Sequence, residues 1–334
     1  MLNAIIDFLE QDLVIPQDAF SIKLLSKDEI ALNCAFPIQI IAEKLTTQFP
    51  KMTFSLQQHI LAFLTQLPGY GIKHVKNVIA IASGKGGVGK STVSSNLACA
   101  LSLLKAQVGL LDADIYGPSI PQMMGVHQQP VVTQDNQYIP IEAHGVHCMS
   151  MGFLHQDAPL IWRGPMLAKA LFEMLNQSAW PALDYLIIDL PPGTGDIPLS
   201  LVQKIPLSGA IIVTTPQTIA TLDAEKAIQM FIKTNIPILG IVANMAWYTC
   251  THCDDKSYIF GQDGASALAE KYHLPLLGEL PLLHAIREQA DQGKPMAMIE
   301  QMAVPWRHIA SNACLELAKR PLNQAPKMPP IRVE

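Results

Sequence analysis

Five apolar runs, NVIAIAS, QVGLLDAD, DYLIIDL, GAIIVTT and PILGIVANM, punctuate the chain from Asn77 onward. Each is short and continuous in apolar character, and helix-length amphipathic segments separate them. Continuous apolar strands alternating with helices specify a mostly parallel sheet with helices on both faces, an α/β fold. Before Asn77 the pattern differs. SIKLLSKDEIALNCAFP reads as two extended segments around a polar turn at Ser26-Lys27-Asp28. IQIIAEKLTTQF has helical spacing, and Met52, Phe54 and Leu56 alternate as in a half-buried strand. The pattern predicts a small α+β domain over residues 1–66, a Gly- and Lys-rich linker over 67–76 and the α/β domain over 77–320. RPLNQAPKMPPIRVE, with four prolines and little to bury, predicts a flexible tail over 321–334.

Composition narrows the classes. A chain of 334 residues with 49% hydrophobic content can bury a large core. A formal net charge of −5 with no basic block gives no footing for nucleic acid. MLNAIIDFLEQDLVIP carries acids early and no basic start, so it does not read as a secretory signal, and no apolar run is long enough to span a bilayer. Six sparse cysteines (34, 99, 148, 250, 253 and 314) do not form a disulfide framework, which points to a reducing, cytoplasmic setting with no membrane partner.

The run NVIAIAS leads into GKGGVGKST, residues 84–92, and then into the helical stretch VSSNLACALSLL. This is G-x-x-x-x-G-K-[ST] between strand and helix, the context a phosphate loop needs. Gly84, Lys85, Gly86, Gly87, Val88 and Gly89 turn backbone N–H groups inward around phosphate oxygens, and the helix N-terminus adds its dipole. Lys90 is expected on the β- and γ-phosphates of ATP, Ser91 on Mg²⁺ and Thr92 at the α-phosphate. Lys85, directly after the first glycine, cannot readily fold back onto phosphates that Lys90 occupies. It is placed to reach the nucleotide of a facing subunit, a trans charge worth roughly 10³ to 10⁵ in rate where such groups act. The plain alternative is a solvated loop lysine.

Two carboxylate signals complete the pattern of an ATPase. LIIDLPPGTGD puts Asp189 at the end of a buried strand, where an acid holds Mg²⁺ through water. Gly193 and Gly195 follow in what suits a loop sensing the γ-phosphate. In GLLDADIYGPS, Asp112 and Asp114 leave a strand on one side, Asp114 expected to position the attacking water and Asp112 to lie near Mg²⁺. Cap or turn acids are the alternative for both.

YTCTHCDD, residues 248–255, sets Cys250 and Cys253 in C-x-x-C spacing with no second pair nearby. Residue chemistry leaves several readings open. Two such pairs across a two-fold axis suit an iron–sulfur cluster or zinc equally well. A thioredoxin-like pair would want its first cysteine at a helix N-terminus, and an inert buried pair does not suit so polar a segment. His252 reads as an exposed imidazole beside the site. Cys99, Cys148 and Cys314 sit among apolar neighbours and read as core residues, as does Cys34 in CAFP.

Taken together, SGKGGVGKST, LLDADIYGPSIPQMMG, WRGPM, DYLIIDLPPGTGD, TTPQ and GIVANMAWYTCTHC…IFG resemble the Mrp/ApbC family of P-loop ATPases. These are iron–sulfur cluster carriers related to MinD and to the nitrogenase iron protein. The resemblance runs from about residue 74 to about 318. It implies a MinD-like P-loop fold and a homodimer in which Cys250 and Cys253 of each chain ligate one bridging [4Fe-4S] cluster. It further implies delivery of that cluster from upstream scaffold proteins to apo iron–sulfur proteins. Lys85 matches the family's signature lysine, and Asn244 matches a position that recognises adenine in related folds. Arg163 of WRGPM matches without a chemical role. One departure is that Asp254 and Asp255 follow the second cysteine, where many relatives have glycine. Those carboxylates should make a bound cluster harder to reduce. A positioning ATPase of the MinD or ParA kind is the competing class. It would want a basic amphipathic helix or a basic DNA-binding patch, which this chain lacks, and it has no need of the cysteine pair.

Overall fold

The computed structural model describes residues 2–115, 117–154 and 164–323. The chain opens on α1 (Leu2–Asp7), continued by a wider π-helical turn over Phe8–Asp12 in which Ile5 and Leu9, one turn apart, are fully buried. β1 (Phe20–Leu24) and β2 (Glu29–Cys34) pair antiparallel about the polar turn, α2 (Gln39–Gln48) crosses over, and β3 (Thr53–Gln58) joins β2 in parallel. The strands and α2 follow the predicted pattern. The helical opening over 2–12 has no counterpart in it.

β4 (Val75–Ala82) begins inside the stretch expected as linker and leads through the phosphate loop into α3 (Lys90–Leu103). β5 (Val108–Asp112), α4 (Ile120–Met123), β6 (Ile141–Ala143), β7 (Val146–Ser150), α5 (Met151–Leu154), α6 (Gly164–Gln177) and β8 (Leu183–Asp189) follow. Next come α7 (Asp196–Lys204), β9 (Gly209–Thr214), α8 (Thr218–Lys233) and β10 (Ile238–Ala243). A two-stranded hairpin of β11 (Tyr248–Thr249) and β12 (Lys256–Ser257) precedes α9 (Gly264–Tyr272), β13 (Leu276–Glu279), α10 (His284–Asp291) and α11 (Val304–Ala318).

Eight strands form one sheet in the order β13-β10-β9-β4-β8-β5-β7-β6, parallel throughout except for the antiparallel edge strand β6. Every residue of β5 and β9 is buried, the mark of strands covered on both faces. Because the central strands are parallel, their carboxyl ends share one edge. Asp112 and Asp189 are direct register partners, and the phosphate loop leaves β4 next to them. The sequence pattern misses β6 and β13, three and four residues long, and β7, where His147 and Ser150 interrupt the apolar run.

The N-terminal unit shares its apolar core with the α3 and α11 side of the large sheet; Phe36, Ile41 and Phe63 join the same cluster as Leu97 and Trp306. Polar struts lock the joint. Asn77 accepts from the Phe63 amide at 3.0 Å and donates to the Leu61 carbonyl at 2.8 Å, and Gln58 donates to the Lys105 carbonyl at 2.9 Å. The expected tail is anchored at its start. The Leu64 amide donates to Pro321 and the Asn323 amide to Ala62, both at 2.8 Å, so residues 321–323 are tied to the N-terminal unit. Residues 324–334 and Arg163 lie outside the described residues.

Candidate functional site

The phosphate loop owes its shape to its glycines at two points. Gly89 is in the left-handed region (φ +83°), and a Cβ there would meet the Asn244 side-chain nitrogen. Gly84 lies so close to α8 that a Cβ would fall 2.0 Å from the Asp223 carbonyl. Around the loop lies a cavity of about 190 Å³, lined among others by Lys85, Gly87, Lys90, Ser91 and Asp114. Gly193 (φ +91°) donates its amide to the Ser83 carbonyl at 2.9 Å, which holds the loop after β8 against the phosphate loop.

Lys90 and Asp189 form a buried ion pair at 2.8 Å, their side chains 5% and 0% exposed. Asp114 lies 3.9 Å from the same ammonium. Asp189 also accepts from Ser91 Oγ at 2.5 Å and from Ser94 Oγ at 2.6 Å. Lys90, the Ser91 hydroxyl and the strand-end Asp189 are thus already brought together by direct contacts. Ser94 is absent from the sequence reading. It stands one helical turn after Lys90, on the same face, which is the signal that could have found it.

Asp112 is held by three protein donors. One carboxylate oxygen accepts the Asp114 amide at 3.1 Å, and the other accepts the Ile120 amide and Ser150 Oγ, both at 3.1 Å. Burial first, and then the Asp189 charge, push its carboxyl up to about 7 against those hydrogen bonds and Lys90. Both oxygens are committed to protein donors. Asp112 thereby anchors the loop that carries Asp114, next to Asp189.

Asn244, expected from the resemblance to read adenine, donates its amide to the Val88 carbonyl at 2.8 Å and so braces the phosphate loop. It also lines a second cavity of about 230 Å³ that shares Thr92 and Met123 with the first. The other walls come from Pro281, Leu282 and Leu283 and from Ile286 and Arg287 of α10. An apolar slot with a few polar groups beside a phosphate cradle suits a nucleobase. No local motif in the sequence marks the segment that supplies these walls.

The cysteine pair sits in the turn of the β11–β12 hairpin. The Cys250 amide donates to the Asp255 carbonyl at 2.9 Å, and the Asp254 amide donates to the Cys250 carbonyl at 3.0 Å. Cys250 is half-buried and Cys253 exposed. The amides of His252 and Cys253, then the Cys253 thiol, donate to Cys250 sulfur and hold its pKa below the ordinary thiol value. Asp254 occupies the left-handed region (φ +58°), a conformation glycine adopts without strain. His252 Nδ1 faces Thr251 Oγ1 at 3.2 Å. The exposed, thiolate-prone pair fits an iron–sulfur cargo. Among the described residues no group of three or more His, Cys, Asp or Glu is placed to hold a metal ion, so one chain offers two sulfurs. The other four cysteines are buried, and burial pushes the thiols of Cys34, Cys99 and Cys314 up to about 12 and raises Cys148 as well.

Comparison with known proteins gives this geometry its family. A family model described as the ParA family's NUBPL iron-transfer P-loop NTPase matches residues 74–317. The chain belongs to that family. The iron–sulfur cluster carrier protein of Pseudomonas fragi is 53% identical over 238 residues, spanning 70% of this chain and 82% of that protein. The carrier protein of Escherichia coli K12 is 50% identical over 252 residues, 74% of this chain and 68% of that one. The mouse iron–sulfur cluster transfer protein NUBPL is 48% identical over 256 residues, 75% of this chain and 80% of that one. Among solved structures, a nucleotide-binding protein from Archaeoglobus fulgidus in complex with ADP has a TM-score of 0.60 at 38% identity, covering 70% of this chain and 91% of that one. The Pyrococcus furiosus cell-division ATPase MinD, at TM-score 0.53 and 23% identity over 71% of this chain and 97% of its own, shares the fold. As a P-loop NTPase of the iron–sulfur carrier family, the chain is a nucleotide-binding protein with a MinD-like core. No helix of the described residues is long and apolar enough to cross a membrane.

Proposed function

We propose that the protein is a slow ATPase that holds a [4Fe-4S] cluster between two copies of the chain and passes it to apo iron–sulfur proteins in the cytoplasm. The observation that carries this reading is the cysteine hairpin: two solvent-facing sulfurs, one already biased to thiolate, on an iron-transfer P-loop NTPase whose described residues supply no third ligand. A second copy related by a two-fold axis completes four thiolates. Large apolar side chains support such a homodimer. Ile219 and Leu222 on α8 and Tyr258 and Ile259 after the hairpin are exposed, and the segment after Ile259 packs at Gly261 and Gly264 against Pro216, at the foot of α8.

In this reading ATP fills the two adjoining cavities, triphosphate at the loop and base against Asn244 and Leu282. Ser91, with Asp189 behind it, would hold Mg²⁺, which neutralises phosphate charge. Asp114 orients water, Lys90 binds the phosphates, and Lys85 acts on the nucleotide of the facing copy. Cargo and nucleotide then bridge one interface, so the binding of each changes the other. Upstream scaffold proteins load the cluster.

Anaerobic reconstitution with iron and sulfide, followed by absorption spectroscopy and transfer to an apo-protein, tests the carrier role. Cys250→Ala and Cys253→Ala are each expected to abolish the chromophore and transfer. Delivery at wild-type rates by either variant, or a colourless dimer containing zinc, defeats the reading. Lys85→Ala is expected to keep ATP affinity while slowing hydrolysis at least tenfold, and loss of affinity alone would place Lys85 in its own site.

A further inference from the structure

α10 is an eight-residue helix with no buried residue, and Ile286, Arg287, Ala290 and Asp291 turn toward the second cavity. Among the described residues its half-buried Ala285 and Ile286 pack against the main core, so its position depends also on what it covers and on how its C-terminal end is fixed. That end is clamped. Gly293, just beyond it, touches Gly125, just beyond α4, so closely that a Cβ on Gly293 would lie 2.2 Å from the Gly125 Cα. Both glycines are left-handed, at φ +69° and +65°. Gln122 of α4 donates its side-chain amide to the Asp291 carbonyl at 2.6 Å, and His144 Nε2 lies 2.9 Å from the Gly293 carbonyl. A little farther on, the Ala297 amide donates to Asn96 of α3 at 2.8 Å.

The other end of α4 belongs to the catalytic loop. Ile120, its first residue, donates its amide to Asp112, the carboxylate that also holds the Asp114 amide. Met123, in the same helix, lines both cavities. A rigid path thus runs from the base pocket through α10, the glycine contact and α4 to the loop bearing Asp114.

We propose that α10 senses the nucleobase and that α4, through Gln122 and the Gly125–Gly293 contact, transmits base occupancy to Asp114, so that hydrolysis is fastest when a base fills the second cavity. Gln122 is a positioning residue. It touches neither cavity and acts on the reaction only through α4. The inference rests on the reading of the first cavity as a triphosphate site.

Single-turnover hydrolysis of ATP and of inorganic tripolyphosphate, which has no base, separates this role from a general structural one. The wild type is expected to cleave bound ATP faster than bound tripolyphosphate. Gln122→Ala should lower the ATP rate about three- to tenfold, the range that loss of one hydrogen bond spans. The tripolyphosphate rate and the KM for ATP should stay within about twofold of wild type on the same scale. Gly293→Ala, which forces the two helices apart, should erase the ATP preference more completely. Equal loss with both substrates, or an undiminished ATP preference in both variants, overturns the coupling. A wild type that hydrolyses no ATP overturns the triphosphate reading and this inference with it; ATP hydrolysis with no dependence on Gln122 overturns this inference alone.

Discussion

Replacing Lys90 with alanine should destabilise the nucleotide-free protein, over and above the affinity for ATP that any phosphate-loop lysine supplies. Asp189 is fully buried, and its nearest positive charge is the Lys90 ammonium at 2.8 Å. Removing one member of a buried ion pair costs about 3–5 kcal/mol, mostly because the other charge is left unpaired. Ser91 and Ser94 still donate to Asp189 at 2.5 and 2.6 Å, which places the expected loss at the lower end, about 3 kcal/mol. For a chain of this size the urea midpoint should fall by roughly 1 M at pH 8. The pH dependence has a definite sign. Asp112, beside Asp189, already has its carboxyl raised from 3.8 to about 7, and Lys90 is among the groups holding it down. Without Lys90 it rises further. An acid raised in the folded state binds more protons there than in the unfolded chain, so stability falls as pH climbs from about 4 through the folded value. The deficit of Lys90→Ala should therefore be largest at pH 8 and shrink toward pH 5.5. Removing both charges, as Lys90→Ala with Asp189→Ala, should recover part of the loss. A single variant with the wild-type midpoint at pH 8, or a deficit that grows on acidification, would refute the reasoning.

Four further outcomes follow from named contacts. In the native, metal-free protein at pH 7.5, iodoacetamide should label Cys250 and Cys253 and spare Cys34, Cys99, Cys148 and Cys314, as read by mass spectrometry; those four are buried with raised pKa values. Gly84→Ala should cost about 1–3 kcal/mol in thermal unfolding and weaken ATP binding, because its Cβ meets the Asp223 backbone. Gly86→Ala, with nothing within 4 Å, should change stability by less than about 0.5 kcal/mol. Asp254→Gly removes a charge and a left-handed side chain beside the cysteine pair, and should raise the reduction potential of a reconstituted cluster by on the order of 20 mV. An unchanged or lower potential would show that the carboxylate does not bear on the cluster.

The amino-acid order alone determined the parts of this protein that depend on short stretches of chain. Continuous apolar runs dictate buried parallel strands. GKGGVGKST dictates a phosphate loop, because its glycines and its flanking strand and helix are all local. The C-x-x-C spacing dictates two sulfurs on one turn. What only the tertiary structure decided are the relations between distant segments. One oxygen of Asp112 accepts from both Ile120 and Ser150, the latter on a strand the apolar pattern does not reveal. Ser94 became a partner of Asp189 because the parallel sheet brings α3 across the end of β8. The base pocket and its clamp join Gly125 to Gly293 through a contact that no local periodicity encodes. Backbone motifs carry their chemistry in neighbouring residues, whereas cavities and hydrogen-bond partners are fixed by how whole elements pack, and that is settled only when the sheet and both its helical layers are in place.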